Sequence, residues 1–153
     1  MSAVRAVLLW LSLCCLSATA GQMQLQDDRG RQVAFKAQPQ RIVSILPSLT
    51  EMVCQLGMCD KLVGVDRYSE WPEQVRRLPL VGGGLDPNIE MIVSLRPDVV
   101  FAGTSSRAAD RLIALGIPVV ALEPKTHADV QRVLSKMGLV LGVADAQIGR
   151  AHV

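Results

Sequence analysis

The sequence predicts an α/β fold: a small parallel sheet flanked by helices, preceded by a short β-hairpin. Three observations carry this. Four short runs rich in β-branched residues, 42–46, 62–65, 99–101 and 118–122, are separated by stretches with helical apolar spacing. The connecting loops are short, as in successive βαβ units. The first run also passes at Pro47 directly into an apolar helical pattern. Such a strand-to-helix junction lies at the carboxyl ends of parallel strands, where ligands bind in open sheets. The chain carries no tandem repeat and no low-complexity segment.

The first residues stand apart from that pattern. Arg5 is a short positive region, residues 6–16 are apolar, and Ala18-Thr19-Ala20 is a small-residue cleavage site. Residues 1–20 are therefore expected to be a secretory signal peptide cut after Ala20. A membrane span would need about 20 apolar residues, and Leu13 before Cys14 argues against a lipoprotein signal. Residues 21–38 form the predicted hairpin and linker. Met23 and Leu25 alternate with glutamines, Asp28-Arg29-Gly30 turns, and Val33 and Phe35 alternate again.

After the first strand, Ser48 three residues before Glu51 reads as a capping box for a helix through Leu49, Met52, Val53 and Leu56. Gly57 is the expected stop. Residues 62–65 are the next strand, followed by a polar loop, 66–72, holding the only tyrosine, Tyr68, and the only tryptophan beyond the signal, Trp71. Pro72 opens a short helix. Gly82-Gly83-Gly84 is a flexible, sterically open loop. Asp86 is expected to cap a helix with Pro87 at its first position and Ile89, Ile92, Val93 and Leu95 on its apolar face.

The third strand opens into Gly103-Thr104-Ser105-Ser106, small residues that let a bulky ligand approach. A helix with Leu112, Ile113 and Leu115 stops at Gly116, and the fourth strand follows Pro118. Thr126 with Asp129 is expected to cap a helix through Val130, Val133, Leu134 and Met137, its apolar pattern continuing past Gly138 to Val143.

Two of the four cysteines lie in the signal. Cys54 and Cys59 remain, as a disulfide stapling the helix end to the next loop or as two buried thiols. No further cysteine or nearby histidine completes a metal set, and no metal site is expected. The last six residues, Ile148-Gly149-Arg150-Ala151-His152-Val153, are what ATC-GGA-AGA-GCA-CAC-GTC encodes, which resembles the start of a common sequencing adapter. The reading frame is expected to run off a short insert at 148–153, with the natural protein continuing past Gln147. A genomic stop codon directly after Val153 would overturn this. Setting both ends aside removes Arg5 and Arg150 from the 16 basic residues, leaving 14 against 14 acidic ones. That balance offers no basic patch for nucleic acid.

Several motifs occur in a fixed order: Arg41-Ile-Val-Ser with Pro47-Ser-Leu-Thr-Glu51, Leu56-Gly57, Leu62-Val-Gly-Val65, Tyr68-Ser-Glu-Trp-Pro72, then Asn88-Ile-Glu90 running to Pro97-Asp98-Val-Val, Leu115-Gly-Ile-Pro-Val119, and Ala144-Asp145. This ordered set resembles the periplasmic substrate-binding proteins of iron–siderophore, haem and cobalamin ABC importers over residues 39–145, and its Tyr-Ser-x-Trp-Pro segment is similar to the cobalamin-type branch. The resemblance implies a two-lobed protein whose lobes are joined by a long helix, with ligand held between them. Residues 39–143 would be the N-terminal α/β lobe and 144–147 the first turn of that helix. It further implies a ligand face of Pro47, Ser48, Leu49, Tyr68, Ser69, Trp71, Gly83, Gly84, Gly103, Thr104 and Ser105. Aromatic walls and small residues suit a large flat macrocycle, and a Tyr68 phenolate could ligate haem iron. Cobalamin-type relatives carry aromatic side chains in the glycine loop and at the position of Gly103, where this chain departs. Glu90 matches the glutamate that pairs with arginines of the membrane permease. The implied partners are the permease and ATPase of an importer, for a protein that is monomeric when full length. It would bind a corrinoid, or alternatively haem or a ferric siderophore, without a resident cofactor and without catalysis.

The rival class is a secreted α/β hydrolase. No Gly-x-Ser-x-Gly elbow is present. His127, the only histidine before the adapter-like end, reads as a surface residue beside a helix cap.

Overall fold

The structure, a computed structural model, describes residues 23–143. The expected signal peptide, the first turn of an inter-lobe helix at 144–147 and the adapter-like end all lie outside the described residues.

The alternating apolar residues after Gln22 pair as foreseen. β1 (Met23–Gln26) and β2 (Gln32–Phe35) form an antiparallel hairpin with Leu25 opposite Val33. The four apolar runs become β3 (Ile42–Ser44), β4 (Leu62–Val65), β5 (Val99–Ala102) and β6 (Val119–Ala121). They make one parallel sheet in the order β4-β3-β5-β6. β4 lies on one side of β3 and β5 on the other, so the chain reverses direction across the sheet beside β3.

Both sheet faces are covered, which is why these strands read as continuous apolar runs. One face presents Ile42, Phe101, Val120 and Leu122 to the hairpin and to α1 (Pro47–Gln55) and α4 (His127–Leu141). The other presents Val43, Ile45, Val100 and Ala102 to α2 (Ile89–Ser94) and α3 (Ala108–Ala114). The two-residue period of a strand sorts neighbouring side chains onto opposite cores. Among the described residues no helix is long and apolar enough to cross a membrane.

Two expected helix starts are corrected. The Ser48–Glu51 capping box does not form. Pro47 takes the first helical position, and Leu46, extended at φ −148° and ψ 127°, precedes it without a side-chain cap. Ser48 is thus already inside the helix, two residues past the cap position. Asp86 does not cap α2 either: Asn88 does, accepting from the Met91 N–H at 2.9 Å. Asp86 is paired with Arg67, and Pro87 bridges Gly82. Ile92 is the buried member of the α2 face, while Val93 is exposed, as is Leu115 beyond α3.

Elsewhere local signals hold. Gly57 and Gly116 adopt positive φ at helix ends. Thr126 and Asp129 form a reciprocal capping box on α4, which runs through Gly138 and closes at Gly142, φ 65°. Cys54 and Cys59 are disulfide-bonded, with their Cα atoms 4.2 Å apart.

Candidate functional site

The carboxyl ends of β3, β4 and β5 converge on one hollow of about 250 Å³. Ile45, Leu46 and Pro47 follow β3 and give it an apolar floor. Asp66 and Tyr68 enter after β4, Gly83 to Asp86 from the loop before α2, and Gly103, Ser105 and Ser106 after β5. Sites that enclose a drug-sized ligand run from about 300 to 1,000 Å³. This hollow is smaller, and its geometry is that of one wall of a site.

Asp66 organises the β4 end. Its carboxylate is fully buried and accepts from the Tyr68 N–H at 2.9 Å and from the Ser69 hydroxyl. Ser69 also bonds Thr50 on α1 at 2.8 Å. The loop backbone is thereby fixed, and the Tyr68 ring projects with 66% of its surface exposed. The Arg67 guanidinium carbon stands 5.8 Å from the centre of that ring, a cation–π arrangement. The same guanidinium pairs with Asp86, while the Arg67 N–H donates to the Gly82 carbonyl at 2.7 Å. The β4 loop and the glycine loop are in this way held together.

Space around the glycine loop is tight, and at Gly82 the backbone itself demands glycine. Gly82 has φ +93°, and a Cβ there would sit 2.7 Å from the Asp86 carbonyl oxygen. At Gly83 a Cβ would come within 2.6 Å of the Asp86 carboxylate. Gly103 differs: a Cβ would meet Leu46 at an ordinary 3.8 Å. A side chain fits there, so this glycine widens the hollow without being needed by the backbone.

The β5 loop is held from outside. Thr104 donates both its N–H, at 3.1 Å, and its hydroxyl to the Glu123 carboxylate. Ser106 is 2% exposed, and its hydroxyl is the buried side-chain polar atom without a partner among the described residues. Such a group costs about 1–3 kcal/mol.

Of the residues the resemblance placed on a ligand face, Pro47, Tyr68, Gly83, Gly84, Gly103 and Ser105 line the hollow. Ser48 is half-buried in the first turn of α1 and does not line it. Leu49 is wholly buried in the core, because the helix begins at Pro47 and turns that side chain inward. Ser69 is buried, its hydroxyl bonded to Asp66 and Thr50. Thr104 is engaged with Glu123. Trp71 is 68% exposed beside Glu51, Cys54 and Gln55, away from the hollow. Glu90 is exposed on the first turn of α2.

Sequence reasoning missed Ile45, Leu46, Asp66, Leu85 and Asp86 as lining residues, and placed Ser106 only in the small-residue loop. Asp66 had a signal: it is the first residue after an apolar strand, at the end where ligands bind. His127 is exposed at the start of α4 and does not line the hollow. Among the described residues no three of His, Cys, Asp or Glu cluster to hold a metal.

Comparison with known proteins places this geometry. The family model described as periplasmic binding protein matches residues 42–147. The vitamin B12-binding protein of Yersinia pestis strain Pestoides F is 41% identical over 93 residues, covering 59% of this chain and 33% of its own length. The chain thus spans about a third of that relative. Among solved structures, the periplasmic vitamin B12-binding protein BtuF of Vibrio cholerae aligns with TM-score 0.63 and 31% identity, over 74% of this chain and 47% of its own. A periplasmic haem-binding protein from Pseudomonas aeruginosa aligns with TM-score 0.67 and 34% identity, over 74% of this chain and 42% of its own. These relatives are binding proteins, not enzymes.

Proposed function

Because the chain belongs to the periplasmic binding protein family, we propose that it is the N-terminal lobe of the substrate-capturing component of an ABC importer. The protein would be exported to the periplasm, take a corrinoid such as cobalamin, and deliver it unchanged to a permease and its ATPase. The observation that carries this reading is the hollow at the carboxyl ends of β3, β4 and β5. It has an apolar floor, one projecting aromatic ring and glycine-lined sides. A flat macrocycle needs such a wall: apolar area to cover, a ring to stack on, and no side chains blocking its edge. The identity to a vitamin B12-binding protein favours the corrinoid. A second lobe facing this wall would complete the site, consistent with a hollow of only about 250 Å³.

Haem is the second reading, and Tyr68 favours it. Its phenol is exposed on the rim, free to reach a metal centre, and a haem-binding protein is among the structural relatives. A ferric siderophore is the third. In every case Glu90, exposed on α2, would meet cationic side chains of the permease.

Titrating the full-length periplasmic protein with cyanocobalamin, haemin and a ferric siderophore tests the proposal. Tight binding of cyanocobalamin, with Tyr68 emission quenched, is the expected result. Haemin binding whose visible spectrum shifts in Tyr68→Phe would replace the corrinoid with haem. Binding of none of the three would defeat the reading and return a secreted hydrolase to consideration.

A further inference from the structure

We propose that Arg29, in the turn of the N-terminal hairpin, is a positioning residue for the hollow, holding the Gly103–Ser106 loop in the shape that receives ligand. The inference rests on the reading of that hollow as the ligand site. The Arg29 guanidinium donates through Nε to the Thr104 carbonyl at 2.7 Å and through Nη2 to the Ser106 carbonyl at 2.8 Å. Its third arm reaches the Asp110 carboxylate on α3 at 3.1 Å. One planar fork therefore ties two loop carbonyls and the following helix into a single unit, which an ammonium cannot do.

The anchor behind the fork is firm. The Asp27 carboxylate accepts from the backbone N–H groups of Arg29 and Arg31 at 2.9 and 2.8 Å, closing the turn on itself. The Asp28 N–H donates to the Ala121 carbonyl at 2.8 Å, and the Asp28 carboxylate accepts from the Glu123 N–H at 2.9 Å. The turn is thus seated on the end of β6, and Arg29 reaches from there across the β5 loop.

The loop has little of its own to hold it. Its residues are glycine, threonine and two serines, with Ser105 exposed. Its one internal backbone bond runs from the Ser106 N–H to the Gly103 carbonyl at 3.1 Å. The Ser106 hydroxyl is buried in this shape with no partner among the described residues, so that side chain adds no bond to hold the loop. A wall that must be in place before ligand arrives gains affinity from being held there.

The test uses the full-length protein with Arg29→Ala, Arg29→Lys and, as control, Arg41→Ala. Arg41 is a comparable clamp at the opposite end of the sheet, donating to the Leu95 carbonyl at 2.7 Å. Arg29→Ala is expected to weaken binding of whichever of cyanocobalamin, haemin or a ferric siderophore the wild type takes by roughly tenfold. It is also expected to speed amide exchange at residues 103–107, while Arg41→Ala changes neither. Arg29→Lys keeps the charge without the fork and should fail to restore either; it decides the matter if Arg29→Ala does not fold. Wild-type affinity in both Arg29 variants would overturn the proposal, whatever their melting temperatures. If the wild type takes none of cyanocobalamin, haemin and a ferric siderophore, the ligand reading falls by itself. Exchange then decides: faster exchange in the Arg29 variants supports the loop-holding role, and unchanged exchange overturns it.

Discussion

Asp28 joins parts of the chain more than a hundred residues apart. Its carboxylate accepts from Lys136 at 2.9 Å, from the Glu123 N–H at 2.9 Å and from Arg132. Burial alone would raise its pKa. The hydrogen bonds from Lys136, Glu123 and Arg132, with the charge of Lys136, outweigh burial and hold it below the ordinary carboxylate value. A folded pKa below the unfolded value of about 3.9 means that ionised Asp28 stabilises the fold above that pH. The contribution fades as pH falls from there through the lowered folded value. Asp28→Asn is therefore expected to cost about 1–3 kcal/mol near neutral pH. The gap to wild type should narrow on acidification below about pH 4, in urea unfolding followed across pH. A gap independent of pH would sink this account. Asp28 itself read from the sequence only as a turn residue, because its partners on α4 lie 104 and 108 positions away and leave no local spacing.

At the scale of elements, the helices divide by how they end. α4 carries a complete Thr126–Asp129 box, and α2 is capped by Asn88. α1 has no side-chain cap and relies on Pro47, on Leu49, Met52 and Val53 in the core, and on the Cys54–Cys59 bond at its far end. The bond closes a short loop, five positions apart in sequence. Loop-closure entropy for so few residues corresponds to about 2 kcal/mol. Replacing both cysteines by serine is expected to lower stability by that order, read as a lower urea midpoint. Ligand affinity should hardly change, since it is the start of α1, not its end, that borders the hollow. A large loss of affinity would show that the staple governs the site. The strands and the helix stops at Gly57 and Gly116 were legible from the chain because each depends on neighbours a few residues away. The starts of α1 and α2 were not. Ser48 and Asp86 were the caps the sequence offered, but Pro47 with its fixed φ starts α1 ahead of Ser48, and Asp86 is paired with Arg67 while Asn88 caps α2.

For the whole molecule, the order β4-β3-β5-β6 decides where function can lie. It gathers the loops after β3, β4 and β5 at one edge and leaves Glu90 exposed on α2, outside the hollow. The docking role proposed for Glu90, apart from the proposed ligand wall, makes a divisible prediction. In the full-length protein, Glu90→Ala should reduce uptake by roughly tenfold or more, the expected result of removing one member of an interfacial ion pair. Ligand affinity in solution should stay as in wild type. Unchanged uptake would defeat the docking role, and weakened binding would move Glu90 into the ligand site.

Local patterning in the chain was enough for the alternation of strand and helix, the hairpin, the Thr126–Asp129 box and the open character of the loop at Gly103. These follow from backbone preference and side-chain period, which act over a few residues. Tertiary structure alone decided that Leu49 and Ser69 are buried and that Trp71 stands apart from Tyr68. It also brought Asp66, Leu85 and Ser106 to the hollow and Arg29 to a loop 75 residues onward. Those placements depend on which strands pair and how the helices seat on the sheet. The contacts they create join residues that no local spacing connects.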